Sequence, residues 1–166
     1  MALQSTVALN QGFGVVGEIQ YEGPTRAQPG VTKVGTSTAG GADIVVGRAF
    51  TIDAADGQFQ PGGTGVFGGI LANPKGLASI GTSGGGPLAP TLTVPAGTVG
   101  EFLTMGEVLV SLPAAAAIGA GIYFVNATGV LGVGTAAGGQ TQIANAVVKR
   151  YANAAAGLAV ISLTGA

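Results

Sequence analysis

The chain has 166 residues, 32 of them glycine, and only 13 charged side chains, six basic and seven acidic, with no histidine, cysteine or tryptophan. Ordinary soluble chains devote about a quarter of their residues to charge, against 8% here, and a free monomer of this mass exposes roughly 7,000 Å². The composition excludes disulfides, thiolate metal sites and any chemistry that needs an imidazole, and points to a building block whose surface is covered by other subunits.

A mean hydropathy of +0.55 raises a membrane alternative. The longest apolar run, Val108 to Val125, is broken by Ser111, Pro113, Gly119 and Gly121. A spanning helix wants about 20 apolar residues without such breaks, so no membrane association is expected. Residues Met1 to Asn10 show neither a basic n-region nor a continuous apolar stretch, so export is not expected and folding in the cytoplasm follows. Scattered charge with a net value of −1 leaves no basic patch for direct nucleic-acid binding.

In chain order, residues 1–41 carry isolated apolar pairs among glycines and prolines and are predicted to form an extended N-terminal arm, with one strand over Val15 to Tyr21. A solvated tail would carry more charge than this, so Phe13, Val15, Val16, Ile19 and Tyr21 are candidate interface residues. Residues 42–166 are predicted to form the β-rich core. Its first strands are Ala42 to Asp53 and Gly65 to Leu71, followed by a Gly-rich loop at 81–90. Glu107 to Leu112 alternates, Gly121 to Val125 runs into the turn Asn126-Ala127-Thr128-Gly129, and Val130 to Val133 returns as a hairpin. Asn145 to Tyr151 and Leu158 to Leu163 add two more strands. Mid-helix glycine costs about 1 kcal/mol relative to alanine, and the Gly-free windows Ala114 to Ala117 and Ala152 to Ala156 are too short for helices. The fold class is all-β, a small sandwich or barrel.

Four patterns resemble catalytic or binding motifs and lack the context each requires. Gly12 to Gly17 spells G-x-G-x-x-G, but Gly23-Pro24 stops any helix that would aim amides at a pyrophosphate. Gly81-Thr82-Ser83-Gly84-Gly85 resembles a nucleophile elbow without a base, and Lys75 has nothing to desolvate it. Asp53 to Gly57 lacks the donor spacing of a calcium loop and reads as a turn. Asn126-Ala127-Thr128 matches a glycosylation acceptor only by chance in an unexported chain and is a turn. The acids Glu18 and Glu22, and Glu101 and Glu107, read as solvated or interface charges. Arg26 and Arg48 stand in apolar or Gly-rich surroundings, and one of them is expected to bridge to a carboxylate of a neighbouring subunit. No catalytic residue, metal or cofactor is expected.

Five blocks in series carry a resemblance: Gln11 to Ile19 (QGFGVVGEI), Gly23 to Ala27 (GPTRA), Val46 to Thr51 (VGRAFT), Gly68 to Lys75 (GGILANPK) and Ala156 to Gly165 (AGLAVISLTG). In this order they resemble the structural cement proteins of tailed bacteriophage heads. The resemblance implies a non-enzymatic capsid decoration protein whose core is jelly-roll-like or β-tulip-like. It implies a homodimer or homotrimer on the outer surface of the virion that clamps adjacent major capsid protein subunits. It also gives the arm a role, lying across the lattice or exchanging between protomers. A head-fibre or tail module and a carbohydrate-binding module are the alternatives; the absence of tryptophan weighs against the second.

Overall fold

The computed structural model describes residues 14–20, 23–35, 44–73 and 94–164. These residues contain no helix and form ten strands: β1 (Ile19–Gln20), β2 (Arg26–Val31), β3 (Ala49–Ile52), β4 (Phe59–Pro61), β5 (Val66–Leu71), β6 (Val99–Leu112), β7 (Gly121–Val125), β8 (Leu131–Val133), β9 (Gln140–Arg150) and β10 (Gly157–Thr164). All strand pairs are antiparallel, in the order β4-β3-β5-β6-β10-β9-β7-β8, with β1 and β2 also on β6. The sheet curls into a sandwich-like body and does not close into a barrel, which settles the choice between the two predicted architectures.

β6 organises the molecule because its 14 residues serve two partners on each edge. Its first half pairs with β2 (Val31 opposite Val99) and β5 (Leu71 opposite Phe102), its second half with β10 (Gly157 opposite Leu112) and β1 (Ile19 opposite Val108). The handover falls at Met105, opposite both Arg26 and Thr164, beside Gly106, whose φ of +124° supplies the kink. The alternation predicts a strand only over Glu107 to Leu112, whereas the strand runs from Val99, with Gly100 and Gly106 inside it.

Side chains alternate across a strand, and the core is split accordingly. Ala49, Ile70 and Leu103 join a large cluster with Val108, Ile122, Phe124, Val148 and Ile161. Their sequence neighbours Phe50, Leu71 and Phe102 point the other way into a second cluster with Ile44, Val46, Phe59 and Val94. Strands buried on both faces read as continuous apolar runs, which is why β3 and β5 were visible as strands without alternation. In β9 the inward positions are Ile143, Ala146 and Val148. The odd step between the first two is absorbed by Asn145 in the left-handed region, φ +57°.

Two strands escaped prediction. β2 contains Pro29, opposite Glu101. The Glu101 carbonyl accepts from Ala72 on the β5 side, so Pro29 turns its nitrogen to the free edge of β2, where a missing donor costs nothing and discourages edge pairing. β4 has only three residues. Of the segment predicted as one strand, Ala42 to Asp53, residues 42 and 43 lie outside the described residues, and the rest is a turn through Val46-Gly47 followed by β3.

The far ends of the sheet meet at a glycine contact. Ala49 N donates to Gly129 O, Gly62 N to Ala49 O and Gly63 N to Asn126 O, at 2.7–3.0 Å. This ties the β3–β4 hairpin to the β7–β8 turn.

Candidate functional site

Two turns of the early chain interlock to build an apolar groove of about 370 Å³. The first is fastened to the sheet: Gly17 N donates to Leu109 O, Leu109 N to Glu18 O and Asn73 N to Gly17 O, while the Glu18 carboxylate accepts Val15 N at 3.2 Å. The second is held by Gly47 N donating to Leu71 O. The contact between them is reciprocal, glycine against valine. A Cβ on Gly17 would lie 2.0 Å from Val46 Cγ1, and one on Gly47 2.3 Å from Val16 Cγ1. Both glycines also hold positive φ, +82° and +77°. Gly17, the last glycine of the pattern that resembles a nucleotide fingerprint, therefore serves a tight turn and close packing. Gly47→Ala is expected to cost at least about 2 kcal/mol, the left-handed penalty of roughly 1–2 kcal/mol plus displacement of Val16, read as a lowered urea midpoint.

Val15, Val16, Val46 and Arg48 line the groove on one side, Pro113 and Leu131 on the other. The structure thus gathers three of the seven candidate interface residues, Val15, Val16 and Arg48, in one place. Val15 is 60% exposed. Arg48 is half-buried, with Nη1 donating to Thr128 O at 3.3 Å. Ile19 lies apart, on β1, packed against the large core cluster. Arg26 is exposed at the start of β2, where Nε donates to Thr104 Oγ1 and that hydroxyl donates back to Arg26 O. Phe13 and Tyr21, like the loop at 81–90, lie outside the described residues.

Charge is used inside the chain more than the sequence suggested. Glu107, read as a solvated or interface acid, is 5% exposed and bonds Lys149 Nζ through Oε1 and Arg150 Nη2 through Oε2, the latter at 2.6 Å. Burial pushes its carboxyl up, but the two cations outweigh burial and hold it below its ordinary range. The sequence hid this because the cations stand more than 40 residues away, on β9. The turn Asp53 to Gly57 is confirmed, with Ala55 N on Asp53 Oδ1 and Gln58 N on Asp56 Oδ1, both 2.9 Å. Lys33 reaches across to both carboxylates. Its hydrogen bonds depress the pKa of each and raise its own. Among the described residues no group of three or more carboxylates converges as a metal site, and no helix is long and apolar enough to cross a membrane.

The described surface thus combines an apolar groove and exposed valines with two internal ion-pair clusters, Lys33 with Asp53 and Asp56, and Glu107 with Lys149 and Arg150. The family model of structural cement proteins (E217 gp24/Pam3 gp6) matches residues 3–164. The chain belongs to this phage structural cement family. Its fold is similar to a chain in a solved structure described as the capsid of Myoviridae Phage XM1, with a TM-score of 0.66 and 18% identity over 99% of this chain and 98% of that one. At that identity the likeness speaks to the fold alone. No curated protein matches the sequence. Membership in the cement family makes the protein a structural component of a phage capsid, and the fibre and sugar-binding alternatives have no comparable support.

Proposed function

We propose that this cement protein sits on the outer surface of the phage head and stabilises it by clamping adjacent major capsid subunits, without catalysis and without contacting nucleic acid. The observation that carries the reading is the family match over nearly the whole chain. The physics supports it. Six of the thirteen charged residues (Lys33, Asp53, Asp56, Glu107, Lys149 and Arg150) pair within the chain, which lowers the already small share of charge that could keep a lone subunit dispersed. At the same time Val15, Val66, Val99 and Ile118 are each at least 60% exposed, and every Å² of apolar surface covered by a neighbour contributes about 25 cal/mol.

In this reading residues 1–41 act as a strap, anchored on the core domain 42–166 where β1 and β2 lie along β6, and the residues before Gly14 supply the reach to neighbours. Val15, Val16 and Arg48 form the contact around the groove. Phe13, Ile19, Tyr21 and Arg26 extend it along the strap. A closed homodimer or homotrimer completes the clamp. The subunit folds in the host cytoplasm before it joins the head.

The test is co-sedimentation with expanded heads that lack the cement protein. The intact chain is expected to saturate fixed lattice sites and raise the heat resistance of the head. Deletion of residues 2–13, which spares β1, is expected to leave a folded protein that binds heads at least tenfold more weakly. Failure of the intact chain to bind expanded heads would overturn the reading.

A further inference from the structure

The turn between β3 and β4 carries a chemistry that the capsid role does not use. Ala54, Ala55, Asp56 and Gly57 are exposed, and Gly57 sits at φ +71° with nothing near the place a Cβ would occupy. An aspartate followed by glycine is the pair in which the next backbone nitrogen most easily reaches the side-chain carboxyl, because glycine puts no side chain in the way. In that reaction Gly57 N gives up its proton and bonds to Asp56 Cγ, one carboxyl oxygen leaves as water, and a succinimide forms. Water then opens the ring. Cleavage at the former backbone carbonyl leaves Gly57 attached through Cγ, an isoaspartate with one more carbon in the main chain and no net change of mass.

Three contacts oppose the first step. Gly57 N donates to Asp53 O at 2.8 Å, so its proton is already engaged. Asp56 Oδ1 accepts Gln58 N and Oδ2 accepts Lys33 Nζ, both at 2.9 Å, which fixes the carboxyl in place. The neutral acid can lose water, whereas the anion is a poor target for a nucleophile, and Lys33, ahead of the Gln58 amide, holds Asp56 below its ordinary pKa. Lys33 and Asp53 are the charged groups that act on Asp56, and Lys33 bonds both acids. Its own backbone is anchored. Lys33 N donates to Phe59 O at 2.8 Å, and the preceding Thr32 is fully buried, with N donating to Thr98 O and the hydroxyl to Pro95 O and Thr98 O.

We propose that Asp56–Gly57 is a latent modification site, set to rearrange spontaneously to isoaspartate, and that Lys33 of the strap is the lock that keeps it closed. Seating the strap on the β3–β4 hairpin protects the turn, and lifting it away frees the carboxyl. Once rearranged, the turn presents its carboxylate from a lengthened backbone, and Lys33 no longer meets both acids, so a strap that has left does not regain its seat. This holds whether or not the capsid role above is right.

The test ages native protein, Lys33→Met and Lys33→Arg side by side at 37 °C and pH 6. Isoaspartate at position 56 is read by peptide mapping with a protease that cuts before aspartate but not before isoaspartate, and by electron-transfer fragmentation. The native chain in guanidinium gives the unprotected rate. The folded native chain is expected to rearrange at least about tenfold more slowly than the unfolded one, since reaction needs the turn to open locally. Lys33→Met, folded by circular dichroism, is expected to react at least about threefold faster than the native chain, and Lys33→Arg, which keeps the cation, to stay slow. If Lys33→Met does not fold, Lys33→Gln, which lacks the charge but still donates, takes its place with the same expectation. Val148→Ala, which thins the large core cluster, is the control for general loosening and is expected to age like the native chain. Equal rates in the native chain and the uncharged variant, equal acceleration in Val148→Ala, or a folded native chain that ages as fast as the unfolded one would each overturn the proposal.

Discussion

Replacing both Lys149 and Arg150 with methionine is expected to reverse the sign of this protein's pH response near the carboxylate range. In the native chain the carboxyl of Glu107 is held below its ordinary value, so its contribution to stability is present above the unfolded pKa of about 4.3 and is lost as the pH falls through the lower folded value. The double variant keeps the burial and loses the cations. Burial alone raises the folded pKa, and a group of that kind stabilises below the unfolded pKa and ceases to do so as the pH rises through the folded one. At pH 7.5 the variant is therefore expected to be less stable by about 3–5 kcal/mol, the usual cost of leaving a buried charge without its partner, and to recover part of the loss near pH 4. Both cations hold the carboxyl down, Lys149 ahead of Arg150, although the Lys149 side chain, 48% exposed against 29%, is the more screened of the two. Adding Glu107→Leu removes the orphaned charge and should restore most of the stability at pH 7.5. Urea midpoints of the three proteins at pH 4 and 7.5 decide the matter; parallel pH profiles for the native chain and the double variant would show that the network is not what holds Glu107.

Where the sequence pattern is local, it was sufficient. The hairpin from Gly121 to Val133 was legible because strand, turn and strand are contiguous, and Gly129 at φ +70° occupies the position where a left-handed residue closes the turn. β10 was legible for the same reason. What stayed hidden depends on pairing between distant segments. Pro29 and Gly30 argue against a strand until β6 is known to lie on only one side of them. The split of the core between Phe102 and Leu103 cannot be read from adjacent apolar residues, since such a run fits a strand buried on both faces or a fragment of helix equally well. The groove was half legible: Val15, Val16 and Arg48 were singled out by their apolar or glycine-rich surroundings. Their convergence rests on the contacts of Gly17 with Val46 and Gly47 with Val16, about 30 residues apart, and carries no periodic signature. The pairing of Glu107 with two cations on β9 is non-local in the same way.

Phe102→Ala is expected to produce the largest single loss of stability from the smaller core cluster. The ring is fully buried, stacked on Phe59 at 4.1 Å between centroids and tilted against Phe50 at 5.1 Å. Its backbone lies between Gln28 of β2 and Leu71 of β5. Truncating such a residue removes its transfer free energy and leaves a cavity, about 3–5 kcal/mol in total, out of the 5–15 kcal/mol that holds a typical domain together. The damage should be local in pattern. Leu103 feeds the other cluster from the opposite face, so hydrogen exchange in Phe102→Ala is expected to accelerate most in β3, β4 and β5, and least in β7 and β9. Val46 belongs to the same small cluster and also lines the groove, so a variant still folded at low temperature should lose head binding beyond its unfolded fraction. Phe102→Leu fills most of the space and is expected to cost less than half as much, with binding retained. Uniform acceleration of exchange across all ten strands would instead mean that the two clusters fold and fail as one, and that the alternation along β6 does not divide the core energetically.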